Sequence, residues 1–418
     1  MILPALGHST AWYDGDTLVI DTVDFAPGYV STMAEWAGTP QSRRMRTVER
    51  ISRDADVLTI ETTHQDPAYY RMRPMQPDGG RIVAEIVLGI YTAHGPQLNT
   101  TPDEWELRLP ADRKRRHWFK GKQYDFDELI ELRHDENLGA ESAIEAMQVR
   151  YDACQEAVGS LAETWREVSP DVCVIFGNDQ RECFHEDITP MFTVFGGETL
   201  DHGPLTEEQE QRLPPGILQS EWAYRPHGTV TYPGLPELAN RVMEEGHRSR
   251  FDLSWSLHWP HNPDAWHHGT PHSFTWIFRR VMENKVVPTL PLICNTFFPP
   301  NQPTATRCYE FGQMVAQAIA DWDSDLRVAV CGSGGMSHFV INSEIDELFF
   351  NAIRERDPDP LCALPQNLLM DGTSELRNWI SAAGCLFGTE LSGDVLTYQP
   401  CYRSEAGTGT AQGMIAWT

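Results

Sequence analysis

Imidazoles and carboxylates that end apolar runs are the residues in this chain best placed to do chemistry. Tyr91-Thr-Ala-His94-Gly95-Pro96 closes one strongly apolar run, and Asn178-Asp-Gln180 closes a second. Gly332-Ser-Gly-Gly-Met-Ser-His338 closes a third, and Glu344 follows in Ile341-Asn-Ser-Glu344-Ile-Asp346. Five of the fifteen histidines crowd into His258–His272. Such groups hold metal ions or move protons near neutral pH. Each also has a plainer reading. His94 could be a hydrogen-bonded core histidine, Glu344 an exposed helix acid, and His258–His272 a metal-scavenging loop. Gly332-Ser-Gly-Gly335 lacks the Lys-Ser/Thr that would make a phosphate loop. Trp118-Phe119 and Tyr124–Phe126 read as packing.

The elements that must position these residues alternate between strand and helix. Ile82–Ile90, Val172–Phe176, Val286–Cys294 and Leu326–Cys331 read as buried strands. Residues 139–168 carry apolar side chains at helical spacing (Ile144, Met147, Tyr151, Cys154, Val158). Pro236–Glu245 and Tyr309–Asp323 read as further helices, the first with Pro at its first turn and Gly246 beyond its end. That order predicts an α/β fold, a mixed central sheet flanked by helices. In such sheets ligand sites gather beyond the carboxyl ends of the strands, which is where the clusters lie.

Residues 1–75 have a different texture. Arg46–Ser52 alternates with period two, and Thr17–Val23 and Val57–Thr62 each follow a turn signal, together a small β-rich segment of open role. Pro74-Met-Gln-Pro-Asp-Gly-Gly80 reads as the linker to a second domain, 82–418. Residues 102–135, charged and aromatic, are placed to act as a built-in lid or as a substitute for a partner subunit.

Composition narrows the partners. The chain has 418 residues, 41% hydrophobic and 22% charged, which fits folded rather than disordered protein. A net charge of −27, from 33 basic and 60 acidic side chains, argues against nucleic acid. No apolar run reaches the about eighteen residues of a membrane span. Met1-Ile2-Leu3-Pro4 lacks a basic stretch ahead of an apolar one, so no secretory signal is expected. Nine cysteines, an odd number without CxxC spacing, suggest reduced thiols and a cytoplasmic location.

Together the clusters resemble the class III extradiol ring-cleaving dioxygenases, in particular the catalytic (beta) subunit of protocatechuate 4,5-dioxygenase. The pieces carrying the resemblance run in order: Thr92-Ala-His94-Gly-Pro-Gln-Leu98, Phe176-Gly-Asn-Asp-Gln-Arg-Glu-Cys-Phe184, His267-His268-Gly269, Phe298-Pro-Pro300, Gly332–His338, Ile341–Asp346 and Glu375–Trp379. The resemblance implies an Fe(II)-dependent enzyme that opens a catechol-type ring with O2, in aromatic compound catabolism. It implies His94 and Glu344 as metal ligands, His268 as the acid/base histidine and His338 as a second pocket histidine. The family's second histidine ligand follows Asn-Asp, and here that place is Gln180. His94, Gln180 and Glu344 would then hold the metal, with Glu182 or His185 as alternatives to Gln180.

Two histidines and a carboxylate on one face of ferrous iron leave the other face open for a chelating catechol and O2. A histidine near neutrality can take the substrate proton and return one later, the role the resemblance gives His268. Arg181, Arg225 and Arg307 are candidates to clamp a substrate carboxylate. The expected partners are a small aromatic substrate and O2, with a homo-oligomer and a small partner subunit as the assembly question. The competing reading is a catalytically silent binding or assembly protein that kept the fold but lost its metal site at Gln180.

Overall fold

The structure, a computed structural model, describes residues 7–25, 28–30, 39–41, 45–54, 57–65, 83–260 and 269–418. The chain divides into two compact units, Met1–Arg81 and Ile82–Thr418. The first holds an antiparallel sheet of β1 (His8–Asp14), β2 (Thr17–Val23), β3 (Arg46–Asp54) and β4 (Val57–Gln65), in that spatial order. Arg46 clamps Asp21 on the neighbouring strand with two hydrogen bonds, 2.9 and 2.8 Å. The Pro74–Gly80 segment lies outside the described residues.

The second unit is built on a nine-stranded mixed sheet among the described residues. Its strands are β5 (Glu85–Thr92), β6 (Val172–Gly177), β7 (Phe192–Phe195), β8 (Ser254–Ser256), β9 (Thr289–Cys294), β10 (Arg327–Ser333), β11 (His338–Val340), β12 (Gly393–Tyr402) and β13 (Thr408–Trp417). The order is β8-β7-β9-β6-β10-β5-β13-β11, with β12 paired to β13. The four core strands β9, β6, β10 and β5 run parallel. Every residue of β6 and β9 is buried, as expected for parallel strands covered on both faces. Both therefore read as unbroken apolar runs.

Helices cover the two faces. Of these, α1 (Ile144–Val168), α2 (Pro236–Arg248) and α4 (Ala305–Ala320) lie where the apolar spacing expects them, with boundaries moved by a few residues. A short α3 (His272–Trp276) runs into a π-turn at Ile277–Val281. After α5 (Ser343–Glu355) comes α6 (Leu376–Leu386), all eleven residues of which are buried. Helices α4 and α6 cross very closely. A Cβ on Gly312 would stand 1.8 Å from the Ser381 carbonyl oxygen, so only glycine fits.

That crossing fixes α6, and Arg377 fixes the corner that leads into it. Its fully buried guanidinium donates to the carbonyls of Pro303 (2.8 Å), Thr296 (3.0 Å) and Leu369 (2.8 Å), and to the Gln366 side chain. A buried cation held by carbonyls rather than by a carboxylate ties three loops to one point. Residue 375 is thereby held at the carboxyl ends of the parallel strands.

Residues 102–135 form short helical turns, a hairpin (His117–Phe119 with Lys122–Tyr124) and a helix at Phe126–Leu132. Phe119, Phe126 and Leu129 pack on Val340 and Ala406. Arg115 and the Trp118 backbone N–H both bind Asp371, at 2.9 and 3.0 Å. The segment is thus docked beside the His338 strand.

Candidate active site

Beyond the ends of β5 and β10, four ring and carboxylate side chains meet. His94 follows β5 and is 2% exposed. Its Nδ1 lies 3.0 Å from Ser333 Oγ, at the end of β10. The single hydroxyl hydrogen of Ser333 goes to the Ser273 carbonyl, at 2.5 Å. Ser333 Oγ must therefore accept, and His94 Nδ1 carries the hydrogen. The Nε2 lone pair of His94 is left facing the site. Burial pulls the His94 pKa down to about 3, so the ring is neutral. Tyr224 Oη donates to the His94 carbonyl at 2.6 Å and fixes the backbone.

The carboxylate that reaches His94 is Glu375, not Glu344. Glu375 Oε2 stands 3.5 Å from His94 Nε2 and 3.7 Å from His338 Nε2. Its Oε1 accepts from Gln180 Nε2 at 3.1 Å and Asn178 Nδ2 at 3.3 Å. Burial alone would raise its pKa, but His94, His338, His272 and the Gln180 amide outweigh that and hold it below the ordinary range. Glu344 sits in the first turn of α5 with its side chain 74% exposed, paired with Lys120 at 2.6 Å. The reason is geometric: Glu344 lies on the outward face of α5, whose other face buries Ile345 and Asp346, whereas Glu375 precedes a helix that is buried all round.

Gln180 does come to the site, but by its donor end. Its amide N–H holds Glu375, so its carbonyl is turned away from that carboxylate. The turn that carries it is strained. Gln180 and Arg181 have φ of 43° and 63°, and the Glu182 N–H closes the turn on the Asp179 carbonyl at 2.7 Å. Two consecutive left-handed residues are the φ signature of a type I′ turn, normally filled by Asn-Gly. Asp179 steadies it by accepting from the N–H groups of Cys183 and Phe184, at 3.0 and 2.8 Å. The turn sends Gln180 to Glu375 and Glu182 to a second histidine.

That histidine is His272, at the head of α3. Its Nε2 lies 3.1 Å from His94 Nε2, and its Nδ1 lies 2.7 Å from Glu182 Oε2. Since His94 Nε2 can only accept, His272 Nε2 donates. A carboxylate can only accept, so Nδ1 donates as well. His272 is therefore an imidazolium here. Burial alone would lower its pKa, but Glu182 and then Glu375 outweigh burial and hold it above the usual imidazole value.

His338 opens β11. Its Nδ1 lies 2.8 Å from the Met336 carbonyl, which can only accept, so Nδ1 donates and Nε2 is turned to the Glu375 side. A Cβ on Gly372 would lie 2.1 Å from His338 Cδ2, so Gly372 leaves room for the ring. His268, His267 and His261 lie outside the described residues. Arg225 is buried on Glu221 (2.8 Å), and Arg307 stacks on Phe251 (3.5 Å to the ring centroid). Arg181 stacks on Phe298 at 4.2 Å, beside Gln180 in the chain.

Glu375 and His272 were not singled out from sequence. Glu375 carried a signal: it directly precedes Leu376–Leu386, which apart from Arg377 and Asn378 is apolar or small, and an acid buried with such a run is costly without a role. His272 was one of five histidines in a run, and nothing local distinguished it. The Asn-Asp-Gln turn does come to the site, through a route its spacing does not reveal.

Among the described residues no three Cys, His, Asp or Glu side chains stand in a closed metal-holding arrangement. Pairs of donors do fit a common ion. Two donors about 2.1 Å from one metal stand about 3.0 Å apart at a right angle and about 3.4 Å at a tetrahedral angle. His94 Nε2 lies 3.1 Å from His272 Nε2 and 3.5 Å from Glu375 Oε2. The Nε2 atoms of His94 and His338 also flank one carboxylate oxygen, at 3.5 and 3.7 Å. A carboxylate between two imidazole nitrogens is a donor set suited to a cation, with both Nδ1 atoms tied to outer oxygens as in ligating histidines.

Comparison with known proteins agrees with this chemistry. Gallate dioxygenase of Pseudomonas putida (strain KT2440) is 50% identical over 95 residues, 20% of this chain and 28% of that protein. The 2,3-dihydroxyphenylpropionate/2,3-dihydroxicinnamic acid 1,2-dioxygenase of Photorhabdus laumondii is 26% identical over 217 residues, 50% of this chain and 55% of that protein. The chain thus spans about half the length of the second relative and under a third of the first. Residues 143–409, well over half of the chain, match the family described as the catalytic LigB subunit of aromatic ring-opening dioxygenase. Gln180, His272, His338 and Glu375 all lie within that match, and the chain belongs to this family.

Proposed function

We propose that this protein is a ferrous-iron extradiol dioxygenase that opens a catechol-type aromatic ring with O2. The observation that carries the reading is the approach of Glu375 Oε2 to His94 Nε2 at 3.5 Å, with His338 on the other side of the same oxygen. Both imidazoles have Nδ1 tied to an oxygen, by Ser333 and by Met336. His94 and Glu375 would hold the metal. A ferrous ion there would supply adjacent open positions for the catechol oxygens and O2, and a redox path between ring and O2.

The chain's own groups prepare that chemistry. Ser333 orients His94, and Asn178 with Gln180 orients Glu375. His338, its Nδ1 tied to Met336, is placed to take one catechol hydroxyl proton at Nε2 and later return it. Its ring is partly exposed, as is that of His272, whereas His94 and Glu375 are buried, so it is open to a ligand from outside. His268 remains the other candidate for this role. Arg181, stacked on Phe298, is the candidate to meet an anionic ring substituent. Nine free thiols, eight of them buried, fit the reducing cytoplasm that is part of this proposal. Among the described residues no helix is long and apolar enough to cross a membrane.

The test is anaerobic loading with Fe(II), then addition of catechol, protocatechuate and gallate while following O2 uptake and the absorbance of the ring-opened product. Turnover with at least one of them is expected, lost in His94→Ala. A protein that binds no Fe(II) and takes up no O2 with any of the three would instead be the silent binding protein.

A further inference from the structure

We infer that His272, steadied by Glu182, supplies the second imidazole of the metal centre, in the place that Gln180 leaves without one. The inference rests on the metal-centre reading of His94 and Glu375 above. It assigns a ligand that lies about ninety residues from the turn where the family pattern puts one.

Three observations carry it. First, Gln180 is engaged as a donor. Its amide N–H binds Glu375 Oε1 at 3.1 Å, which fixes the carboxylate rather than offering a lone pair. Second, His272 Nε2 lies 3.1 Å from His94 Nε2, the spacing of two cis ligands on one ion. The rings are perpendicular, with centroids 4.7 Å apart, so their nitrogens converge on one point rather than stacking. Third, the far side of His272 is built as a ligand support. Glu182, only 1% exposed, accepts from Nδ1 at 2.7 Å and from the His272 backbone N–H at 3.1 Å. A carboxylate behind a ligating imidazole fixes its tautomer and raises its donor strength.

The strained turn explains how the exchange is arranged. Asn178 and Gln180 face Glu375, while Glu182, two residues on, faces His272. One turn thus steadies the carboxylate with its amides and the imidazole with its acid. The hydrogen shared between His272 Nε2 and His94 Nε2 marks the spot a cation would take. That hydrogen leaves as a proton when the ion binds, and both nitrogens keep their lone pairs. No electrons are exchanged in this step.

The experiment uses the full chain, made metal-free and titrated anaerobically with Co(II). Affinity is read from the visible ligand-field bands, and coordinated imidazoles are counted by pulsed paramagnetic resonance on the Cu(II)-loaded protein. Wild type is expected to show two coordinated imidazoles. His272→Ala should weaken Co(II) by at least about 100-fold and leave one, while Gln180→Ala, whatever it costs in affinity through Glu375, should keep two. Adding Gln180→His to His272→Ala should restore the second imidazole. Wild-type affinity and two imidazoles in His272→Ala would overturn the inference. If His94→Ala and Glu375→Gln lose the metal while His272→Ala keeps it, only this inference fails. If those two also keep it, the metal-centre reading fails with it. Should His272→Ala not fold by circular dichroism, His272→Gln is read in its place by the same criteria.

Discussion

Glu375→Gln is the substitution that separates shape from charge at the centre. The glutamine has the same length and fills the same space. Its carbonyl can still accept from Gln180 (3.1 Å) and Asn178 (3.3 Å). Its NH2 then takes the place of the carboxylate oxygen 3.5 Å from His94 Nε2 and 3.7 Å from His338 Nε2. The fold of the metal-free protein should therefore change by no more than about 1 kcal/mol in either direction. Metal binding should suffer far more, because an anionic ligand becomes a neutral one. A loss of at least about 100-fold, about 2.7 kcal/mol, is expected. Glu344→Gln is the control. It breaks an exposed ion pair with Lys120 and should move affinity and turnover by no more than about twofold. The assay is anaerobic Fe(II) or Co(II) titration of both variants, with urea unfolding of the metal-free proteins alongside. Wild-type affinity in Glu375→Gln together with loss in Glu344→Gln would refute the geometric assignment.

Two further outcomes follow from packing and charge away from the metal ligands. Asp346 is fully buried, accepts from Ser337 N (2.8 Å), Ser337 Oγ (2.6 Å) and Tyr398 Oη (2.9 Å), and has its pKa pushed up to about 6 by burial. The folded state then holds this proton where the unfolded chain has lost it. Stability from Asp346 is therefore greatest below about pH 4 and declines by about 3 kcal/mol as pH rises to about 6.5. Asp346→Asn should flatten that part of the urea-midpoint profile, and an unchanged slope would mean that Asp346 is charged throughout. Gly372→Ala would drive a Cβ into the His338 ring, 2.1 Å away. Turnover should fall by about 100-fold while metal content stays normal, since a displacement of about 1 Å in a proton-transfer group has that reach; a variant with full turnover would remove His338 from the proton path.

The order of strands and helices in the second unit was legible because buried parallel strands write themselves as apolar runs. Val172–Gly177 is buried at every position, so no alternation could confuse it. The meander of residues 17–62 was legible for a different reason, short β-prone runs set off by turn signals such as Asp14-Gly15-Asp16 and Asp54-Ala-Asp56. His94 and the Asn-Asp-Gln turn could be placed because ligand sites gather where parallel strands end. What the chain could not disclose is which side chain on a helix or turn faces inward. Glu344 and Glu375 each begin a helix, and only the crossing of α4 and α6 at Gly312 decides that one is buried and the other in water. The meeting of His272 with His94 depends on a type I′-like turn and on the position of α3, and neither leaves a local pattern. Residue types fix what chemistry is available, whereas long-range packing fixes which of those groups share a few ångströms of space.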